Sequence, residues 1–153
     1  MRIIGRLIGK ILYFATLPAI LIAVRNSTRT RVLVRCGQKF LVLKPWLGSD
    51  EWMLPGGGLH RGEEPLAGAI REVREETGLR LLANNMQYLG LQRAQEKRCF
   101  QYDYHLYLVE IPVIPALKLQ RLEVRAADWL TPEGIRTGPS VNETTIKCIK
   151  KLP

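Results

Sequence analysis

A run of three glycines followed by a charged, periodic segment limits the folds open to this chain more than any other feature. Gly56, Gly57 and Gly58 lead into a segment that is rich in glutamate and arginine and ends near Leu79. Because glycine has no Cβ atom, its backbone can take unusual dihedral angles and can approach a phosphate or a metal ion closely. Glycines also occur in ordinary turns, so the run by itself is weak evidence of a site. It predicts a tight loop before the charged segment.

The charged segment has the spacing and the end signals of an α-helix. Pro65 suits the first turn of a helix, and Gly78 suits the position just after its end, so we expect a helix from Leu66 to Thr77. Apolar residues fall on one face of this helix and are available for packing. Three carboxylates share another face because they are spaced i, i+3 and i+4: Glu72, Glu75 and Glu76.

This group of carboxylates has two explanations. A solvated helix can carry glutamates for solubility alone. However, like charges at this spacing repel one another unless a positive group lies between them. A divalent cation with oxygen ligands supplies such a charge, and Mg²⁺ is the usual one where phosphate is the substrate. The glycine loop and the acidic helix together therefore favour a metal-assisted phosphate site.

The joined pattern resembles the sequence box of the Nudix hydrolases, G-x5-E-x7-R-E-U-x-E-E-x-G-U, in which U is a bulky aliphatic residue. Each fixed position of the box is matched, by Gly57, Glu63, Arg71, Glu72, Val73, Glu75, Glu76, Gly78 and Leu79. The segments EWMLPGGG before the box and EVRAADWLTPEGI after it also look like flanks of the family. The resemblance covers about residues 30–150.

The resemblance implies an enzyme that cleaves a pyrophosphate bond in a nucleoside diphosphate-linked or nucleoside triphosphate substrate, with Mg²⁺ or Mn²⁺. It implies that the metal ligands are Glu72, Glu75, Glu76 and the Gly57 carbonyl, and that Gly57 and Gly58 bind substrate. By the same resemblance Glu75 and Glu76 are the main ligands, and Glu72 is a further ligand or the base that activates water. The resemblance also implies that Glu63 supports the cluster and that Arg71 pairs with a glutamate to hold it in place. Two alternatives are a membrane-associated hydrolase of a lipid-linked diphosphate and a non-catalytic regulatory or binding module.

Several residues have alternative roles, namely the candidate bases, the aromatic residues and the two histidines. In some relatives the base comes from a later loop, and Glu96 or Glu123 would then replace Glu72. Aromatic side chains can stack on a nucleobase, but packing is the simpler explanation for each candidate: Trp46, Trp52, Tyr102 and Trp129. His60 and His105 are expected to be structural, because metal-assisted hydrolysis needs neither.

The remaining segments predict an α/β fold. Apolar stretches flanking Gly37 and Gln38 predict a hairpin, and further strands and a last helix follow the acidic helix. The expected elements are strands at 32–36, 39–45, 86–94, 100–111 and 124–130, and a helix near 140–151. The order of these elements suits a sandwich of helices and sheet, and the resemblance implies a Nudix-type α/β/α sandwich with a mixed β-sheet.

The net charge of +9 comes from the N-terminal third, since residues 1–49 carry nine Lys and Arg and no acid. Residues 1–24 are expected to form a separate segment before a Nudix domain at 25–153. Arg2, Arg6 and Lys10 alternate with apolar residues, which predicts an amphipathic helix. This segment either contacts an anionic membrane surface, or packs on the domain or on a homodimer partner.

The sequence also bears on location. The apolar stretch at 11–24 is shorter than the roughly twenty residues that span a bilayer. Cys36, Cys99 and Cys148 are too scattered for a disulfide framework or a zinc site, which favours a reducing compartment. We therefore expect a cytoplasmic protein, with peripheral contact at the inner membrane face as the alternative.

Overall fold

Five strands of this chain form one mixed sheet in the computed structural model, which describes residues 28–46, 50–96, 100–138 and 140–152. The expected amphipathic helix, the boundary at residue 24 and Cys99 lie outside the described residues. The strands are β1 (Arg29–Cys36), β2 (Lys39–Pro45), β3 (Met86–Glu96), β4 (Phe100–Glu110) and β5 (Val124–Leu130), in the spatial order β3-β4-β1-β2-β5. The pair β1 and β4 is parallel, and the other three pairs are antiparallel.

The hairpin predicted around Gly37 and Gln38 is confirmed. Cys36 pairs with Lys39 across the antiparallel strands β1 and β2, which leaves these two residues as the turn. Gly37 has a φ of 57°, in the left-handed region that glycine adopts without a steric penalty. The Gly-Gln pair therefore sets the register of the two central strands.

The helices are α1 (Pro65–Thr77), α2 (Pro132–Thr137) and α3 (Glu143–Lys150), with a short 3-10 helix at Ala83–Asn85. Helix α1 begins one residue earlier than expected, and Gly78 ends it with a φ of 77° and a hydrogen bond from its N–H to the Arg74 carbonyl. Helix α3 corresponds to the expected last helix. Helix α2 was not anticipated, although Thr131 caps it by accepting a hydrogen bond from the Gly134 N–H and Pro132 opens it.

Apolar side chains fill both faces of the sheet. On one face, α1 packs through Ala69 and Val73 against a core that includes Val32, Val34, Leu41, Leu43 and Val109. On the other face, α2 and α3 pack through Ile135, Cys148 and Ile149 against a core that includes Leu33, Phe40, Val42 and Leu106. The sheet therefore lies between helices on both sides, which confirms the expected α/β/α sandwich with a mixed sheet.

No helix in the described part of the chain is both long and apolar enough to cross a bilayer. Cys36 and Cys148 both have free thiols.

Candidate functional site

The glycine loop is attached to the first residues of β1 by backbone hydrogen bonds. The Thr30 N–H donates to the Gly57 carbonyl at 2.8 Å, and the Val32 N–H donates to the Pro55 carbonyl at 2.9 Å. Gly56 lies closest to the strand, with a φ of 128°, and a Cβ atom there would meet the Thr30 carbonyl oxygen at 2.3 Å. Only glycine suits this position, because a side chain would be strained and would push the loop off the strand.

The next glycine, Gly57, bonds β1 through its carbonyl, and its Cα faces helix α1. A Cβ atom on Gly57 would lie 2.6 Å from the Glu72 carboxylate, too close for any side chain in this arrangement. The missing side chain therefore lets the Glu72 carboxylate lie directly against the loop backbone. Each position therefore requires glycine for a different reason. At Gly56 a side chain would clash with the backbone of β1, and at Gly57 it would clash with the Glu72 carboxylate.

Arg71 lies at the centre of the acidic side chains of α1. Its Nε and Nη2 donate to the two carboxylate oxygens of Glu63 at 2.8 and 2.9 Å, a bidentate pair. Its Nη1 donates to Glu72 at 2.9 Å and to Glu75 at 3.1 Å. Its Nη2 also donates to the Gly58 carbonyl at 3.1 Å. One guanidinium thus holds three carboxylates and the glycine loop together.

The electrostatics of Glu63 follow from this arrangement. The hydrogen bonds from Arg71, with a further one from the His60 N–H at 2.8 Å, lower the pKa of Glu63 to about 2. The pKa of Arg71 is raised, chiefly by the same Glu63 contact. Glu63 is therefore an ionised anchor at neutral pH, and the charge of the pair is internally balanced.

Glu76 contacts the loop at Gly56, whereas Arg71 bonds Glu72 and Glu75. Its Oε2 accepts a hydrogen bond from the Gly56 N–H at 2.9 Å. Burial raises the pKa of Glu76 to about 8, and nearby Glu72 and Glu123 add to the rise, whereas the Gly56 N–H and Arg31 oppose it. This carboxyl group is the one in the site whose charge is least compensated, so it has the most to gain from a nearby cation.

The raised pKa of Glu76 predicts a specific pH dependence of stability without metal. Glu76 ionises near 4.5 in the unfolded chain but near 8 in the folded one. Between these values the folded state binds more protons at Glu76, so the contribution of Glu76 to the free energy of unfolding should fall as pH rises, by at most ~1.4 kcal/mol per pH unit. Chemical denaturation in EDTA from pH 4.5 to 8 measures this slope. Glu76→Gln should flatten it, and an equal slope in the variant would contradict the prediction.

Of the two alternative bases, Glu123 lies near the site. Together with Glu76, Pro45 and Leu122 it lines a small cavity of about 200 Å³. Its Oε1 accepts a hydrogen bond from the Gln120 side chain at 3.2 Å. Glu96 is the last residue of β3, and its side chain is outside what the structure describes.

The aromatic and histidine candidates are mostly engaged in packing. Trp52 packs against one core and Trp129 against the other, whereas Trp46 is exposed. Tyr102 is buried, with the Arg29 guanidinium 5.0 Å from its ring centre. His105 Nδ1 lies 2.9 Å from the Tyr88 hydroxyl in a surface pair.

Sequence reasoning missed Arg31, a buried arginine in β1. Its Nη1 donates to the Gly56 carbonyl, and its Nη2 lies 3.3 Å from the Tyr102 hydroxyl. The available signal was a charged residue directly before the apolar run at 32–34, at a position where a central strand ordinarily carries an apolar residue.

A model of the NUDIX domain matches residues 15–150 of the sequence. The chain belongs to the Nudix family. The match agrees with the resemblance seen in the sequence. We therefore call the glycine loop the Nudix loop and the acidic helix α1 the Nudix helix.

Individual relatives support this assignment. Nudix hydrolase 10 of Arabidopsis thaliana is 30% identical to this chain over 99 residues, which cover 65% of the chain and 35% of the relative. The RNA pyrophosphohydrolase of Agrobacterium fabrum is 32% identical over 55% of the chain and 59% of its own length. The crystal structure of a MutT NUDIX hydrolase from Burkholderia pseudomallei has a TM-score of 0.72 at 15% identity, covering 83% of this chain and 98% of that one.

The chain spans less than two thirds of the length of both curated relatives. The likeness to the solved structure, at 15% identity, shows a shared fold.

The donors of the Nudix helix suit a hard divalent cation, although they are not gathered around one point. Among the described residues, no three His, Cys, Asp or Glu side chains are grouped closely enough to hold an ion. Arg71 draws Glu72 and Glu75 to one side, and the Gly56 N–H draws Glu76 to the other. All three donors are carboxylates on one helix, and Glu76 is a part-buried carboxyl whose pKa is raised to about 8, chiefly by desolvation. Carboxylate oxygens are the donors that Mg²⁺ and Mn²⁺ prefer, so the chemistry of this donor set fits either ion.

Proposed function

We propose that this Nudix protein is a divalent-metal-dependent pyrophosphohydrolase. Its substrate class is a nucleoside diphosphate linked to another group, or a nucleoside triphosphate. The naming of one relative as an RNA pyrophosphohydrolase supports a substrate that carries a nucleotide pyrophosphate. The chain's net charge of +9 suits polyanionic substrates in general.

One observation carries the proposal, namely the fit between the Nudix loop and the Nudix helix. The Glu72 carboxylate lies where a Gly57 side chain would otherwise be, and Glu76 is held by the Gly56 N–H. Packing carboxylates against the loop backbone does not stabilise the fold, because burying a carboxylate costs free energy. The glycines that permit this contact are therefore not explained by stability. The arrangement is explained if these carboxylates act on a ligand at the loop.

The roles of the residues follow from their surroundings. Glu72, Glu75 and Glu76 would hold Mg²⁺ or Mn²⁺, with the Gly57 carbonyl as a further oxygen donor. When bound, such an ion neutralises charge on phosphoryl oxygens and makes a water molecule more acidic. Glu72 is the proposed base that takes the proton from the attacking water, because its carboxylate lies at the loop surface. Glu123 is the second candidate for the base, since it shares a cavity with Glu76.

Arg71 and Glu63 would act by positioning. Arg71 donates to Glu72 and Glu75 and is itself fixed by the bidentate contact with Glu63. The Arg71–Gly58 hydrogen bond ties the same guanidinium to the loop on which the substrate would lie. The pair therefore keeps the helix carboxylates in register with the loop.

A hydrolysis screen tests the function directly. Purified protein is incubated with nucleoside triphosphates, oxidised nucleotides, ADP-ribose, nucleotide sugars, 5′-triphosphorylated RNA and isoprenoid diphosphates, with Mg²⁺, with Mn²⁺ and with EDTA. We expect release of a nucleoside monophosphate, pyrophosphate or phosphate that depends on the metal. Turnover of isoprenoid diphosphates alone would favour the lipid-linked alternative. Binding of a nucleotide without any turnover would favour a non-catalytic module.

Glu76→Gln should raise the Mg²⁺ concentration that gives half-maximal activity. The amide keeps the size of the side chain but loses the negative charge, so metal affinity should fall by at least the roughly ten- to a hundredfold that loss of a ligand's supporting partner causes. Activity is measured at saturating substrate over a Mg²⁺ titration, and excess Mg²⁺ should restore part of kcat. An unchanged half-maximal Mg²⁺ concentration would remove Glu76 from the metal ligands.

A further inference from the structure

Arg31 is a buried cation next to the Nudix loop. Only 6% of its surface is exposed, although it is charged at every physiological pH. Its guanidinium donates to the Gly56 carbonyl and lies 3.3 Å from the Tyr102 hydroxyl. It also lies 3.4 Å from the Thr30 carbonyl, at the long end of hydrogen-bond distances. A buried arginine is costly unless its donors are satisfied, so these contacts fix the position of the side chain.

Gly56 connects this arginine to the acidic helix. Its carbonyl accepts from Arg31, and its N–H donates to Glu76 at 2.9 Å. Both contacts are made by the backbone of one residue whose φ of 128° and contact with the Thr30 backbone leave it little freedom. A shift of the Gly56 backbone would therefore move Glu76 and the adjoining Gly57 together.

We propose that Arg31 is a positioning residue for cation binding: by holding the Gly56 carbonyl, it keeps the Nudix loop and Glu76 in the geometry that the metal requires. This inference rests on the proposed function, since it assigns a role toward the same metal. Arg31 acts through Gly56, and Tyr102 orients Arg31 from the other side. The arginine thus extends the site from the Nudix helix to β1 and β4.

The direction in which metal affinity changes when Arg31 is removed distinguishes a positioning role from a purely electrostatic one. A positive charge near the carboxylates repels a divalent cation, so removing it should by Coulomb's law strengthen metal binding. If Arg31 positions the loop, its removal should weaken metal binding instead. The two explanations predict opposite changes in the same measured affinity.

The test measures Mn²⁺ binding without turnover, by the electron paramagnetic resonance signal of free Mn²⁺ in a titration of the full chain. We expect Arg31→Gln to raise the Mn²⁺ dissociation constant by about ten- to a hundredfold. Arg31→Lys should raise it less, because lysine keeps the charge and can still donate hydrogen bonds but loses the planar fork. Thermal unfolding of each variant is followed in parallel, and a cooperative transition shows that the fold is kept.

Arg35→Gln is the matched control. Arg35 stands at the other end of β1 and pairs with Glu110, so its removal deletes the same charge from the same strand without touching Gly56. Its Mn²⁺ affinity should stay within about twofold of wild type. An Arg31→Gln variant that binds Mn²⁺ as tightly as wild type, or more tightly, overturns the proposal.

Tyr102→Phe and Arg31→Lys test the proposal if Arg31→Gln does not fold. Tyr102→Phe keeps the guanidinium and removes one of its partners, so it should weaken Mn²⁺ binding severalfold in a folded protein. Unchanged affinity in both Tyr102→Phe and Arg31→Lys overturns the proposal. Wild-type protein that binds Mn²⁺ but hydrolyses nothing contradicts the proposed function and leaves this inference standing, whereas wild-type protein that does not bind Mn²⁺ overturns both.

Discussion

Glu72→Gln should lower kcat by about a hundred- to ten-thousandfold while the fold stays intact. Glutamine has the same shape, so the contact with the Nudix loop is kept, and an amide oxygen can still accept the hydrogen bond that Arg71 donates to Glu72 at 2.9 Å. The amide cannot take a proton from water, and it is a poorer metal ligand than a carboxylate. Steady-state kinetics at saturating Mg²⁺ and substrate measure the loss.

Glu64→Gln is the control for this variant. Glu64 precedes α1, is exposed, and occupies none of the fixed positions of the Nudix box. Its kcat should stay close to that of wild type, which shows that removing an acid from this region is harmless in itself. Near-normal turnover in Glu72→Gln would show that Glu72 is not the base. Glu123→Gln would then be the next variant to measure.

Gly57→Val should abolish activity while lowering stability much less. The new Cβ atom would lie 2.6 Å from the Glu72 carboxylate, and this carboxylate is the far end of a flexible side chain. The protein can therefore relieve the clash by moving Glu72, which preserves the core but displaces the proposed base. We expect loss of measurable turnover, with a change in the free energy of unfolding of about 1–2 kcal/mol.

The neighbouring glycines make this prediction specific. A Cβ atom on Gly58 meets nothing within 4 Å, so Gly58→Ala should cost less activity than Gly57→Ala. A Cβ atom on Gly56 meets the Thr30 backbone at 2.3 Å, and backbone atoms cannot move aside as a side chain can. Gly56→Ala should therefore lower stability and activity together. Equal losses of stability in the Gly56 and Gly57 variants would make Gly57 a purely structural turn residue.

Elements set by local signals were predictable. The Gly37–Gln38 hairpin and helix α1 were both expected from the sequence, because turn glycines, Pro65 and Gly78 act on the backbone within a few residues. Helix α2 was not expected because it has only six residues, too few to show a hydrophobic period, although its Thr131 cap was visible in the sequence.

In the candidate site, too, local features were predictable from the sequence and side-chain contacts were not. The spacing of the Nudix box placed Glu72, Glu75 and Glu76 on one helix and put the glycine loop beside it, and this much follows from helix geometry. The sequence could not show that Arg71 would bond Glu63, Glu72 and Glu75 while Glu76 turned to the Gly56 N–H. Side-chain direction depends on which loop atoms come near, and only the folded chain brings those atoms together.

The sequence by itself determined the set of acidic residues and the spacing that identifies the family, because both depend on residue types at fixed short separations, and the family resemblance in turn implied the α/β/α sandwich. The tertiary structure decided the environment of those residues. Glu76, which accepts a hydrogen bond from the Gly56 N–H of the Nudix loop, has a pKa raised to about 8 by desolvation. Arg31 reaches Gly56, 25 residues away, and Tyr102, 71 residues away. Burial and contacts between distant segments exist only once β1 has paired with β4 and the loop has docked on β1, so no local pattern encodes them.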